Sequence, residues 1–372
     1  MNIADNIAEK YINNVILTSD PTAPMWKNNV TESDKAPKWS HTDNFVIAAL
    51  LMLYDACDDV RLLDYSIRFT NCFVNSDGII PSMNYADYDL ENISGGRNLF
   101  KLWKITDNER YLLAFEKLWY EQLVRHPRIP SGNFWHKAVS HDQIWLEDTY
   151  MVLPFMAEYA QHHRKRGVAE DIQRQYTDIR KIMRDPVTGL YYHGYDDTYT
   201  MLWADSITGL SSEFWLRSIS QLCAALADTC EMLPESTMLR EQLNRLLTDL
   251  SAFRRSDGML LQLPARSGLE GNYPETSGSL LFAYAALKAA RLGISSEEIR
   301  MAGKETFSAV AENFIDNSTG IPVLKNICLG ASLGDDIENN GSAESYIRTG
   351  TTENDGTGIA AFLMAYTEFK KI

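Results

Sequence analysis

Apolar positions along the chain fall into helical stretches of two kinds. Phe45–Ala56 reads FVIAALLMLYDA, apolar on nearly every side, which suits a helix buried inside a protein rather than one lying on its surface. Asn98–Trp103, Tyr111–Tyr120, Leu146–Tyr159, Phe214–Leu226 and Leu280–Leu287 repeat that theme. Between them lie charged, amphipathic segments such as Val168–Met183 and Thr237–Leu250, each with one apolar stripe. Strand-like runs are short. The pattern predicts an apolar helix followed by a mixed helix, over and over.

A turn signal marks the repeat. Ser76-Asp77-Gly78, Ser131-Gly132-Asn133, Val187-Thr188-Gly189, Ser256-Asp257-Gly258 and Ser318-Thr319-Gly320 are each followed by apolar or aromatic residues. Their glycines are 54, 57, 69 and 62 residues apart, room for two helices and their connections. Glycine after Ser, Thr or Asp suits a turn with positive φ, and the apolar residues after it suit a short strand. Five marked repeats with room for a sixth predict an all-α fold, an (α/α)6 barrel of six helical hairpins with short turn and strand connections. An open helical solenoid is the rival. Its repeats would be stricter, and the last helix, Ala360–Tyr366, is apolar enough to close a ring. No linker stands out, so residues 1–372 read as one domain, with 1–38 as an N-terminal helix and lead-in.

Composition narrows the function. Apolar residues make up 45% and charged residues 23%, so the chain is an ordinary globular one. Lys plus Arg is 35 against 50 Asp plus Glu, a net charge of −15, which argues against nucleic acid and against an anionic membrane surface. No run of eighteen apolar residues suggests a membrane span. The first residues, MNIADNIAEKYINNVI, do not read as a secretory signal, so a cytoplasmic location is expected, or a periplasmic or secreted one if a leader has been removed. Cys57, Cys72, Cys223, Cys230 and Cys328 are scattered and read as free buried thiols. With no CxxC or HExxH, a dedicated zinc or redox site is not expected.

Candidate chemistry sits where aromatics meet polar groups between helices. Trp39-Ser40-His41, Phe134-Trp135-His136-Lys137, Tyr191-Tyr192-His193 and Glu213-Phe214-Trp215-Leu216-Arg217 combine rings with directed donors and acceptors. That is what a sugar needs, since C–H faces stack on rings while hydroxyls seek partners. Glu147 and Asp148, after the apolar Ile144-Trp145-Leu146, open a helix. An acid there is commonly a dipole partner, but neighbours on a helix point about 100° apart, so one can cap while the other faces a funnel. Glu91 likewise reads as a helix start. Two carboxyls facing each other across a funnel suit acid–base work on sugars, one kept protonated by burial, here against Trp145 or Trp215. His136 and His193 read as wall residues before catalysts. Arg217, on an apolar helix, needs a partner, either an internal acid or a substrate carboxylate. Glu275–Ser279 and Asn354–Gly358 read as helix caps.

Together these pieces resemble the unsaturated uronyl hydrolases of glycoside hydrolase families 88 and 105, the unsaturated rhamnogalacturonyl hydrolases above all. The likeness rests on Phe134-Trp135-His136-Lys137, Gln143-Ile144-Trp145-Leu146, Tyr150-Met151 with Pro154-Phe155, Tyr192-His193, Glu213-Phe214-Trp215 with Arg217-Ser218, Glu275 with Ser277-Gly278-Ser279, Ile327-Cys328 with Gly330, and Asn354-Asp355. It runs from about Trp39 to Glu368. The resemblance implies an (α/α)6 barrel and a small oligosaccharide substrate whose non-reducing end is a 4,5-unsaturated uronate. It implies protonation of C4 by a carboxylic acid, addition of water at C5, and release of a keto acid without a cofactor. The family's proton-delivering Trp-Leu-Asp reads Trp145-Leu146-Glu147 here, with Asp148 where glycine is common, and its second aspartate falls on Glu91. Either Glu147 acts through a longer side chain, or Asp148 is presented instead, or catalysis is lost. Carried over residue by residue, Trp215 and Arg217 would hold the uronate, and His136 and His193 its hydroxyls or a water. Trp39, His41, Trp135 and Trp145 complete the expected sugar-binding wall. A conventional inverting glycosidase and a non-catalytic sugar-binding protein remain the alternatives.

Overall fold

The computed structural model describes residues 3–27 and 38–372. Helix α1 spans Ile3–Tyr11. Five hairpins follow, each an inner helix and then an outer one. They are α2 His41–Cys57 with α3 Val60–Phe73, α4 Gly96–Thr106 with α5 Glu109–Lys117, α6 Asp148–His162 with α7 Arg166–Met183, α8 Leu216–Met232 with α9 Thr237–Ser251, and α10 Thr276–Arg291 with α11 Glu297–Asn313. A short α12, Ala343–Arg348, precedes the last inner helix, α13 Gly356–Lys371. Each inner helix packs on the next, and α13 packs on α2, so the ring closes. The apolar helices of the sequence are the inner layer; α8 and α10 bury almost every residue.

The expected six hairpins are present, but the sixth is split between the chain's two ends. Helix α1 lies outside α13 and against α11, so the N-terminal helix acts as an outer helix of the ring. The expected lead-in falls largely on residues 28–37, outside the described residues. Helix starts follow local chemistry. Ser40, Asp59, Ser296 and Asp355 each accept a backbone N–H of the first turn that has no intrahelical partner.

Four of the five marker glycines, Gly78, Gly132, Gly189 and Gly258, adopt positive φ, as the turn signal predicts. Gly320 does not, because its turn is held differently, by Asp316 accepting from the N–H and hydroxyl of Ser318. Several of the apolar residues after the turns form only single bridges, such as Arg184 with Tyr191. Cys57 and Cys72 are exposed, which corrects the reading of all five cysteines as buried: both lie on surface faces of their helices. Among the described residues no helix is long and apolar enough to cross a membrane.

Candidate active site

Because inner and outer helices alternate, all six inner helices point the same way, and their N-terminal ends share one mouth of the ring. Short strands before two of them set the key side chains. Strand β1, Gln143–Trp145, pairs antiparallel with β2, Gly194–Asp196, with Trp145 opposite Gly194. The Leu146 N–H then donates to the His193 carbonyl, bringing His193 to the start of α6. The His136 N–H donates to the Gln143 carbonyl, and the His136 carbonyl accepts from Leu90, so the turn carrying Glu91 lies beside His136.

Trp145 is the centre of the arrangement. The His136 ring stacks on it with centroids 4.0 Å apart and planes 10° apart, and His193 meets it edge-on at 5.8 Å. Each histidine holds one of the two adjacent acids. Nδ1 of His136 lies 3.0 Å from both carboxylate oxygens of Asp148. Nε2 of His193 lies 3.1 Å from Oε1 of Glu147. Asp148 is the first residue of α6 and Glu147 is its N-cap, whose side chain caps nothing. Both are buried, at 6% and 8% exposure.

The two acids are driven in opposite directions. Burial, against walls that include Leu90, Phe134, Ile144 and Val152, pushes the Asp148 carboxyl up to about 6; His136 opposes this, and the charges of Glu147 and Glu91 add to it. For Glu147, burial also raises the pKa, but the charge and hydrogen bond of His193 outweigh it and hold the carboxyl below its usual value. His136 is pulled down by burial, yet the Asp148 charge leaves it raised. Burial thus drives the Asp148 carboxyl up, while His193 holds the neighbouring Glu147 down.

Glu91 occupies a separate 3-10 turn, Leu90–Ile93, instead of starting α4, since Asp89 caps that turn and Ser94 closes it on the Glu91 carbonyl. Its carboxylate lies 3.6 Å from Nδ1 of His41, the first residue of α2. Burial works against ionisation of Glu91, but His41, Lys137 and His136 hold its carboxyl well below the usual range. Arg97, six residues on, faces elsewhere and pairs with Asp228.

Not every expected wall residue lines this cluster. Trp39 is buried, donates through Nε1 to the Asn92 carbonyl, and packs so tightly on Gly95 that a Cβ there would sit 2.1 Å from its ring. The Trp135 ring instead meets His141 at 5.8 Å. Trp215 does join the cluster, 4.7 Å from His193. Arg217 has an internal partner, the first of its two expected ones. Glu275 lies 3.8 Å away, Ser277 accepts from Nε at 2.9 Å, and the Cys328 carbonyl accepts a further N–H. Glu275 in turn caps α10 through Ser277 and Gly278.

Tyr346 was not legible in the sequence. Its hydroxyl lies 2.6 Å from Nδ1 of His193, across 153 residues of chain. It comes from α12, within a polar segment that carries no catalytic pattern. The same segment helps roof the site: Leu333 and Trp203 pack on Trp145, and a Cβ on Gly194 would strike Leu333 at 2.3 Å. Among the described residues no three His, Cys, Asp or Glu side chains converge as metal ligands.

The ring of helical hairpins, with buried acids at one mouth, is the helical barrel that a solved family 105 structure also has. Residues 18–372 match the model of Glycosyl Hydrolase Family 88, and the chain belongs to that family. Protein Atu3128 of Agrobacterium fabrum is 35% identical over 228 residues, which cover 59% of this chain and 97% of that protein. Unsaturated rhamnogalacturonyl hydrolase YesR of Bacillus subtilis is 28% identical over 113 residues, 29% of this chain and 33% of that one. A family 105 glycoside hydrolase of C. acetobutylicum superposes with a TM-score of 0.90 at 30% identity, with 100% of both chains covered.

Proposed function

We propose that the protein releases a 4,5-unsaturated uronic acid from the non-reducing end of short, lyase-generated oligosaccharides, rhamnogalacturonan fragments first among them. The observation that carries this is Asp148, a buried carboxyl raised to about 6 beside an ionised Glu91. An alkene carbon needs a real proton donor, and Asp148 has that character while Glu147 does not. The substrate's own carboxylate adds another negative charge near Asp148 and so favours its protonated form. The family membership and the likeness to YesR support the substrate class.

Asp148 gives its proton to C4 of the enol ether, and positive charge develops at C5 and the ring oxygen. Glu91, kept ionised by His41, stabilises that charge. Water bonds to C5. The resulting hemiketal opens to a ketone, and the hemiacetal left at C1 expels the next sugar. Mixing the protein with unsaturated rhamnogalacturonan disaccharide should abolish the absorbance of the conjugated double bond. Unchanged absorbance with that and with unsaturated glucuronan and glycosaminoglycan fragments, alongside cleavage of saturated oligosaccharides, would point to a conventional inverting glycosidase instead.

A further inference from the structure

We propose that the groove between the outer helices α7 and α9 is a second, non-catalytic carbohydrate site, suited to a uronate-bearing sugar chain.

The two helices touch at few points, which leaves a groove of about 510 Å³, within the usual size of a small-ligand site. Arg180 and Lys181 enter it from the last turn of α7, Arg184 from just after that helix, and Arg245 from the middle of α9. In a chain of net charge −15, four cations on one groove are a local exception. Cations in a last helical turn suit the helix dipole, which accounts for Arg180 and Lys181 but not for Arg245.

The arginines are held in place rather than neutralised. Asp249 accepts from Nη2 of Arg184 at 2.7 Å and from Nε of Arg245 at 3.0 Å, so one carboxylate serves two guanidiniums from two elements. Each keeps further N–H groups to spare. Lys181 lies 3.7 Å from Asp178. Arg180 is exposed and makes no ion pair among the described residues.

The floor and wall add acceptors. Gln242, 3% exposed, spends its amide N–H groups on the Tyr176 carbonyl and the Tyr191 hydroxyl, each at 3.3 Å. Its Oε1 is buried without a partner, and Glu241 brings a carboxylate to the same groove. Fixed donors beside acceptors match a sugar ring with one carboxylate and several hydroxyls. A phosphate, all acceptor, would meet Glu241 as a repulsion. The groove also lies near the mouth. The turn after α7 closes with Arg184 bridged to Tyr191, and His193 of the active site is two residues further on.

The test is calorimetric titration with saturated trigalacturonate. That probe has no double bond, so its binding is read independently of the reaction proposed above. The unaltered protein should bind it, and more tightly than inorganic phosphate. Arg180→Gln and Arg245→Gln should each weaken binding by about tenfold or more. Arg180, exposed and unpaired, keeps the test valid if Arg245→Gln does not fold. Arg166→Gln removes the same charge from the other end of α7, where Arg166 is exposed and pairs with Glu170, and should leave affinity within about twofold. No binding by the unaltered protein would overturn the proposal. So would unchanged affinity in the groove variants, which would put the sugar at the mouth. An equal loss in Arg166→Gln, the mark of bulk charge, or phosphate binding as tightly as the sugar would overturn it too.

Discussion

Two charged clusters share the axis of this barrel, and they are built on opposite principles. Toward the C-terminal ends of α8, α10 and α13, Asp228 accepts from Arg97 at 2.6 Å, Tyr284 at 2.5 Å and Lys288 at 2.7 Å; Lys288 goes on to Glu231, and Arg291 links Glu231 to Glu368. Burial disfavours the Asp228 charge, but Lys288 and Arg97 hold its carboxyl well below the usual range. Every acid there meets a cation. At the mouth, Asp148 and Glu147 meet only imidazoles, and Nε2 of His136 and Oε2 of Glu147 stay unfilled. Both clusters are buried, so burial does not distinguish a staple from a site. What separates them is the partner of each acid, a fixed Arg or Lys cation in the one cluster and an imidazole in the other.

Breaking each cluster should give different losses. The largest effect is expected from Asp148→Asn, which should slow loss of the double bond by about 10²–10⁴-fold with an almost unchanged melting temperature; retained turnover would remove Asp148 from the mechanism. Lys288→Met breaks the staple and leaves a buried charge short of its partner. It should cost about 3–5 kcal/mol in urea unfolding, while the folded fraction keeps its kcat. Gly95→Ala forces a methyl into the Trp39 ring and should cost about 1–3 kcal/mol, again by denaturant titration. His136→Asn should leave stability least changed and shift a pH profile. His136 lowers the Asp148 pKa, so its removal should move the alkaline limb of kcat/KM to higher pH; a downward shift would contradict the arrangement.

Linkage gives one more check. The Asp148 carboxyl is raised in the fold from 3.8 to about 6. Its contribution to stability is complete below the unfolded value and is lost as pH rises through about 6. Asp148→Asn, which cannot titrate, should therefore flatten the stability–pH curve between about 4 and 6, measured by thermal unfolding across that range.

The barrel was legible because helix burial is a local signal. A segment apolar on all faces must be surrounded, and only an inner ring surrounds six of them. The catalytic neighbourhood was legible in part. Trp145, His136, His193 and Trp215 come together in the fold, since short strands and turns next to the helix starts carry them, while Glu91 meets His41. Register against Trp145-Leu146 left Glu147 and Asp148 both open as donors; in the fold, burial raises Asp148 while His193 holds Glu147 down.

Sequence alone determined which segments would be helices, which of them would be inside, and that two adjacent acids would stand at the mouth of the ring. Only the tertiary structure decided that burial raises one acid while a histidine lowers the other, that Arg217 is tied to Glu275, and that Tyr346 reaches His193 from 153 residues away. The reason is physical. Helix formation and burial depend on neighbours a turn or two along the chain, whereas a pKa or an unfilled hydrogen bond depends on groups brought within about 4 Å by closure of the whole ring.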